Sequence, residues 1–298
     1  MSKITSIIVD YNSQEFTEKA IKSLLEYDGE FIDKIIVVDN FGLNNYSHIL
    51  SLSKKITILI PHKNLGFGRA INLAMDYVDT PFILLQNPDT VLQSSVLPGL
   101  MDLLKDKNTA AASPFSKTPE GIEILARRFT KLHDIIAGRR SPLLKFKPVR
   151  RIGERYRYLD KLHEKNPFEV DAFTGTFVLI KKDAFIQAGG FDERYFLFME
   201  DVDLSRKLRQ KGFKIMVNPG IQITHFTGST RKKSPLRSAY TKAKSVYLYF
   251  IKWNEIGKIL QAFVGLLLGL YTIFTLFLNF LDIHRPERSW KMPLRKKH

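Results

Sequence analysis

Four short apolar runs near the start of the sequence, at residues 4–9, 34–38, 56–60 and 81–85, each stop at polar residues, and helical patterns lie between them. Residues 15–27 put Phe16, Ala20, Leu24 and Tyr27 at helical spacing, and a second helical pattern at 70–78 follows a glycine-bearing loop. Strand and helix patterns that alternate in this way predict an α/β fold on a mostly parallel central sheet with flanking crossover helices. The strand tips read Asp10-Tyr11-Asn12, Asp39-Asn40, His62-Lys63-Asn64 and Gln86-Asn87-Pro88-Asp89. Ligands of open α/β sheets bind beyond the strand C-termini, so these tips are expected to face one ligand.

Residues 115–168 lose this periodicity and gain Arg, Lys and Pro, which reads as a surface excursion between core elements. Order returns at 168–180, a strand-like run broken by Thr174-Gly175-Thr176. A short helix at 183–188 closes on Gly189-Gly190, and the aromatic stretch Tyr195-Phe196-Leu197-Phe198 precedes a helix at 200–211. Gly212, lacking a Cβ, suits its left-handed C-cap. Residues 213–217 read as a strand, with Asn218-Pro219-Gly220 as its turn.

With 298 residues, 44% of them hydrophobic, the chain can hold one large domain, 1–230, and an appendage, 231–298. It has no cysteine, which excludes disulfides and thiolate zinc sites, and its first apolar run is too short for a signal-peptide core. The cytoplasm is therefore the expected compartment. The net charge of +16 is uneven: residues 231–298 hold 14 Lys/Arg against 3 Asp/Glu, and residues 127–165 hold 13 against 4. The larger cluster brackets residues 259–281, which carry no charge and as a helix would reach about 35 Å. A helix expected at 238–253 offers Tyr240, Tyr247, Tyr249, Phe250 and Trp253, residues favoured at a lipid-water boundary. These features suit a membrane surface with anionic lipids rather than nucleic acid. Both flanks of 259–281 are basic, from Lys252 and Lys258 to Arg285, Arg288, Lys291, Arg295, Lys296 and Lys297, so spanning, re-entrant and interfacial placements all stay open.

Each remaining motif has an ordinary reading alone. Asn87-Pro88-Asp89 can be a turn, Glu200, Asp201 and Asp203 can be acids at a helix N-terminus, and His225 can be a core histidine. Their order is what carries meaning. Ile7-Ile8-Val9-Asp10-Tyr11-Asn12-Ser13, Ile36-Val37-Val38-Asp39-Asn40, Asn64-Leu65-Gly66-Phe67-Gly68-Arg69-Ala70-Ile71-Asn72, Leu85-Gln86-Asn87-Pro88-Asp89 and Phe198-Met199-Glu200-Asp201-Val202-Asp203-Leu204-Ser205 follow one another as in a known family. Gly190-Phe191-Asp192-Glu193 and His225 match as well. Over about residues 4–230 the chain resembles the family 2 glycosyltransferases of the GT-A fold, above all the branch that includes bacterial rhamnosyltransferases of surface-polysaccharide assembly.

The resemblance implies a Rossmann-like GT-A fold, plus the helical membrane-associating segment, and a nucleotide-sugar donor. It implies that Asp39, Asn40, Tyr11 and Asn12 bind base and ribose, and that Asn64, Gly66, Arg69 and Asn72, with Asn87, hold the donor at a helix N-terminus. It makes Asp89 the holder of Mg²⁺ or Mn²⁺ on the donor diphosphate, with His225 either completing the metal shell or contacting the diphosphate directly. It makes Asp201 the general base of an inverting transfer, with Gly175, Glu200 and Asp203 on the acceptor side. The expected reaction moves a sugar, such as rhamnose from its dTDP donor, onto a lipid-linked or growing cell-surface polysaccharide at the cytoplasmic face of the membrane. Three departures bear on donor and metal: Asn87-Pro88-Asp89 stands for the usual Asp-x-Asp, Asp10 for an uncharged residue, and Phe41-Gly42-Leu43 for small polar ones. Alternatives are a non-catalytic nucleotide-sugar-binding subunit, which would lack Asp89 or Asp201, and a basic nucleic-acid-binding protein, which would interleave aromatic and basic residues on one surface.

Overall fold

The computed structural model of the protein describes residues 3–42, 45–137, 141–226, 235–253 and 257–282. Leu43 and the basic flank at 285–297 lie outside the described residues. The chain opens with β1 (Ile4–Asp10), α1 (Gln14–Asp28), β2 (Ile32–Asp39), the one-turn α2 (Ser47–Leu50), β3 (Ile56–Leu59), α3 (Phe67–Met75) and β4 (Phe82–Gln86). It continues through β5 (Thr90–Val91), α4 (Leu97–Leu103), β6 (Thr109–Thr118), β7 (Gly121–Ile124), β8 (Ala126–Arg127) and α5 (Lys147–Tyr156). Then come β9 (Phe168–Val170), β10 (Ala172–Phe173), β11 (Phe177–Lys181), α6 (Lys182–Gln187), α7 (Glu200–Gln210) and β12 (Lys214–His225).

One sheet runs β3-β2-β1-β4-β11-β6-β12-β5, with β7 on β6 and β9 on β12. β1, β2, β3 and β4 are parallel neighbours, β11 is antiparallel to β4 and β6, and β12 is parallel to β6. The chain steps outward from β1 to β2 and β3, then returns to the other flank of β1 with β4. Strand order thus reverses between β1 and β4, and at such a switch point the loops diverge and leave a crevice. Alternate residues of the central strands feed two cores: Ile7, Ile36 and Val38 pack with Ala70, Ile71 and Leu204, while Ile8, Ile35 and Val37 pack with Ile21, Leu24 and Leu97. Burial on both faces explains why these strands read as continuous apolar runs.

Buried side chains fix the helix starts. Asp10, itself fully buried, accepts from Ser13 N (2.8 Å), Ser13 Oγ (2.9 Å) and Thr17 Oγ1 (2.7 Å), and so satisfies the entry to α1. This gives the unexpected acid at β1's tip a structural use. Asp28 does the same for α4, accepting from Val96 N at 2.9 Å and Leu97 N at 3.0 Å.

Three expectations change. The second helix begins at Phe67, not at 70, because Gly66 turns the chain directly into it. Residues 115–168 are not simply a surface excursion: they begin with the last four residues of β6, a strand inside the sheet, and Phe115, Ile124, Ala126 and Tyr158 are core residues. Its middle folds as 3-10 turns at Leu132–Ala137 and Pro142–Lys145, α5, and a further turn at Leu159–Lys161. Asn218-Pro219-Gly220 does not end its strand either. β12 passes through it, its register on β6 jumping from Asn218↔Pro114 to Gln222↔Phe115, so Pro219, which has no N-H to donate, sits in a bulge.

The chain divides into two compact units, Met1–Thr230 and Arg231–His298. In the second, α8 (Pro235–Trp253) and α9 (Lys258–Asp282) pair, and Gly265 faces the Tyr247 ring, where a Cβ would lie 3.4 Å from Cε2. Val264 and Leu268 are buried, whereas Phe263, Leu266, Leu270, Ile273 and Phe277 recur at helical spacing and stay exposed. Among the described residues no helix is long and apolar enough to cross a membrane.

Candidate active site

The paired ends of β1 and β2, in register as Asp10↔Asp39, form one wall. Asp39 is fully buried, and its Oδ1 accepts from the amides of Phe41 and Gly42, each at 3.0 Å. The carboxylate thereby sets the turn that carries Phe41. The Tyr11 and Phe41 rings meet edge to face with centroids 5.6 Å apart, and Tyr11 is exposed, so an aromatic corner stands beside Asp39. Asn12 holds a left-handed φ of 53° at the same tip. Asn40 turns to the next loop: its Nδ2 donates to Gly66 O (2.7 Å) and its Oδ1 accepts from Leu65 N (3.3 Å).

That loop is seated on the segment before α7. Gly66 has φ +80°, and a Cβ there would lie 2.0 Å from Phe196 O, so only glycine fits. Asn64 Oδ1 accepts from Gly66 N at 2.9 Å, and Phe67 N donates to Phe196 O at 3.1 Å. Arg69 and Asn72, expected to hold the donor, point to another partner. Arg69 Nε donates to Glu193 O (2.8 Å) and pairs with the Glu193 carboxylate (3.4 Å). Asn72 brackets Phe191, donating to its O (2.9 Å) and accepting from its N (3.0 Å). The Gly190-Phe191-Asp192-Glu193 motif is therefore the segment these two side chains clamp.

The tip of β4 meets β11, β5 and β12. Asn87 N donates to Thr176 O at 2.8 Å, and Asn87 O accepts from Thr90 Oγ1 at 2.7 Å, so the Asn87 backbone is spent on the turn. Because β5 pairs with β12 as Thr90↔His225, His225 comes beside Asp89, with Nε2 3.3 Å from Oδ1. His225 Nδ1 is buried with no hydrogen-bond partner. Among the described residues no group of three or more His, Asp or Glu side chains is arranged to hold a metal ion. The residues fit a hard divalent cation in a narrower way: one carboxylate and one imidazole as protein ligands, the rest of the shell from diphosphate and water.

The acidic segment is built under strain. Phe198 and Met199 have φ of 70° and 68°, a left-handed conformation that costs a bulky residue about 1–3 kcal/mol. They deliver Glu200 and Asp201 into the first turn of α7. Asp201 is half-buried; its Oδ2 accepts from Gly175 N (3.1 Å) and its Oδ1 from Val202 N (2.8 Å). Burial raises its carboxyl above the ordinary range, opposed by these amides and by the Arg127 guanidinium. Glu200 is 5% exposed and its Oε2 has no partner; burial and the adjacent Asp201 push its carboxyl well above the usual range. Asp203, expected on the acceptor side, is fully buried, with the Tyr195 hydroxyl 3.4 Å from its Oδ1, so it belongs to the core side of α7. Gly175 acts through its backbone on Asp201, and a Cβ there would meet the Phe67 ring at 2.8 Å.

These contacts join the four tips into one site: Asn40 to Gly66, Phe67 to Phe196, Gly175 to both Phe67 and Asp201, and Thr176 to Asn87. Sequence reading missed Phe41 as a ring of the site and Phe67 as its floor.

A doubly wound sheet with an aromatic and acidic corner at its switch point, a carboxylate-imidazole pair and an acid at a helix start defines the GT-A class. Solved structures share the fold: a GalNAc transferase with UDP, GalNAc and Mn²⁺ (TM-score 0.62, 12% identity, 86% of this chain and 49% of that one) and the mannosyltransferase PcManGT of Pyrobaculum calidifontis with GDP-Man and Mn²⁺ (0.57, 14%, 96% and 76%). The family model "Glycosyl transferase family 2" matches residues 5–188, and the chain belongs to that family. It is 29% identical over 208 residues to the N-acetylglucosaminyl-diphospho-decaprenol L-rhamnosyltransferase of Mycobacterium tuberculosis, a match spanning 65% of this chain and 66% of that protein. It is 24% identical over 263 residues to the rhamnosyltransferase WbbL of Escherichia coli K12, spanning 83% of this chain and 92% of that protein.

Proposed function

We propose that the protein is an inverting, metal-dependent glycosyltransferase that moves a sugar, rhamnose from dTDP-rhamnose, onto a lipid-linked saccharide at the cytoplasmic face of the cell membrane. The observation that carries the chemistry is the half-buried Asp201 carboxylate, held by the Val202 amide of α7 and by the Gly175 amide, whose loop also fixes the Asn87–Asp89 tip through Thr176 O. Asp201 takes the proton of an acceptor hydroxyl as its oxygen attacks the anomeric carbon from the side opposite the diphosphate. The bond from that carbon to the phosphate oxygen breaks, and the nucleoside diphosphate leaves with the electron pair. A divalent cation on Asp89 and His225 would supply charge neutralisation for that leaving group. Tyr11 and Phe41 flank the base, and Asp39 accepts from base or ribose. The choice of sugar and acceptor is supported by the names of the two bacterial relatives, and the metal by Mn²⁺ in the two structural neighbours.

The exposed apolar stripe of α9, with Lys252 and Lys258 nearby in sequence, supports seating on an anionic bilayer surface, where enzyme and acceptor share two dimensions. A single experiment tests the reading. The full chain on anionic or zwitterionic vesicles bearing N-acetylglucosaminyl-diphospho-polyprenol is incubated with a panel of nucleotide sugars and Mg²⁺ or Mn²⁺. Nucleoside diphosphate release is expected from dTDP-rhamnose, faster on anionic vesicles and lost with EDTA. Binding without release from any donor would instead favour a nucleotide-sugar-binding subunit.

A further inference from the structure

The segment between β8 and β9 builds an amphipathic tip on the first unit. Val149, Ile152, Gly153 and Tyr156 share one face of α5 by their spacing, and Gly153 on that face is buried. A Cβ on Gly153 would lie 2.9 Å from Ala137 O and 3.4 Å from the Leu144 side chain, so both 3-10 turns pack against α5 here. Lys147, Arg150 and Arg151 fall together on another face, and all three are exposed. Just before α5, Phe146 N donates to Leu143 O at 3.0 Å, a tight turn that brings these two side chains to the same side. They are 52% and 39% exposed, and Leu132 of the neighbouring turn is 40% exposed. Lys145 Nζ lies 5.2 Å from the Phe146 ring centroid, so cation and ring form one patch. Residues 141–153 carry four Lys/Arg and no Asp/Glu.

We propose that this tip is a docking surface for an anionic lipid bilayer: Leu132, Leu143 and Phe146 enter the head-group boundary while Lys145, Lys147, Arg150 and Arg151 meet lipid phosphates. Charge and apolar surface together select the occupant, since a bilayer offers hydrocarbon directly beneath its anionic layer. A nucleic acid would engage the cations and leave the two leucines against water. The tip is also tied to the proposed active site. Arg128 N donates to Tyr156 O at 2.9 Å and Arg128 Nε to Arg155 O at 3.1 Å, which fixes the end of α5 to β8. The adjacent Arg127 pairs with Ala172 of β10, and three residues further on Gly175 N holds Asp201. Docking therefore holds the unit that carries Asp201 at the membrane that bears a lipid-linked acceptor.

The inference rests on the reading of a transferase that acts at a membrane, and its test separates the two. The chain has no cysteine, so His133→Cys, next to Leu132, gives the full chain a single site for an environment-sensitive fluorophore. Emission should rise and shift to the blue on vesicles of phosphatidylcholine with phosphatidylglycerol, and stay near its value in buffer on phosphatidylcholine alone. In this labelled protein Lys145→Gln/Lys147→Gln/Arg150→Gln/Arg151→Gln should weaken partitioning onto the anionic vesicles by about tenfold or more. The charge-matched Lys19→Gln/Lys22→Gln/Lys54→Gln/Lys105→Gln lies on and beside α1, α2 and α4, which pack on the other face of the sheet, and should stay within about threefold of wild type. Phe146→Ser alone should blunt the emission change. A silent label on vesicles that capture the chain, or equal weakening in both charge variants, overturns the proposal and leaves α9 as the membrane contact. A stronger response to single-stranded DNA than to anionic vesicles also overturns it. A membrane response without dTDP release from dTDP-rhamnose would defeat the transferase reading and leave the docking surface standing.

Discussion

Glu200 and Asp201 are neighbours in sequence, and burial raises both carboxyls, but their surroundings differ. Asp201 has two amides and a guanidinium to support its charge, whereas Glu200 Oε2 is sealed in without a partner. The folded carboxyl of Glu200 titrates well above its ordinary value. A raised folded value means that its stabilising contribution is full below the unfolded titration point and is lost as pH rises through the folded one. Glu200→Gln, which never ionises, should therefore melt close to wild type in acid and above wild type from neutral pH upward. Thermal unfolding of both proteins across pH checks this, and parallel curves would contradict it. At this scale the sequence was informative about which residues matter and poor about what they touch. Asp10, Asn72, Arg69 and Asp203 all lie in family motifs, but their partners at residues 13–17, 191, 193 and 195 become visible only when the chain closes on itself.

Among elements, the parallel strands were legible because burial on both faces writes an apolar run, and each run then breaks at a polar tip. β6 was not legible. Its sequence, Thr-Ala-Ala-Ala-Ser-Pro-Phe-Ser-Lys-Thr, has no β-branched apolar residue, yet it is extended because β11 and β12 bind it from both sides. Tertiary pairing overrode weak strand preference. β12 was cut short for a related reason, since its proline sits in a bulge that only the β6 register reveals. The Gly66 loop is the element on which the donor side depends. Gly66→Ala adds a Cβ against Phe196 O and a side chain at positive φ, and should cost about 2 kcal/mol or more in urea unfolding. An unchanged midpoint would show that α3 and the segment before α7 are not seated as described.

For the whole molecule, the two units match two requirements of the proposed chemistry. In the first, contacts link the ends of β1, β2 and β4 with β12 and the start of α7, and in the second α9 carries an exposed apolar stripe. Their division was foreshadowed in the sequence by the change of composition past residue 230, whereas the exposed and buried faces of α9 were not, since that stretch is apolar all round. The account turns on Asp201 acting on an acceptor while other residues hold the donor, and this separation can be measured. Asp201→Asn should cut dTDP release from dTDP-rhamnose in the presence of lipid-linked acceptor by about a hundredfold or more, while calorimetric donor affinity stays within about threefold of wild type. Turnover at the wild-type rate would contradict the account, and so would loss of donor binding in parallel with turnover.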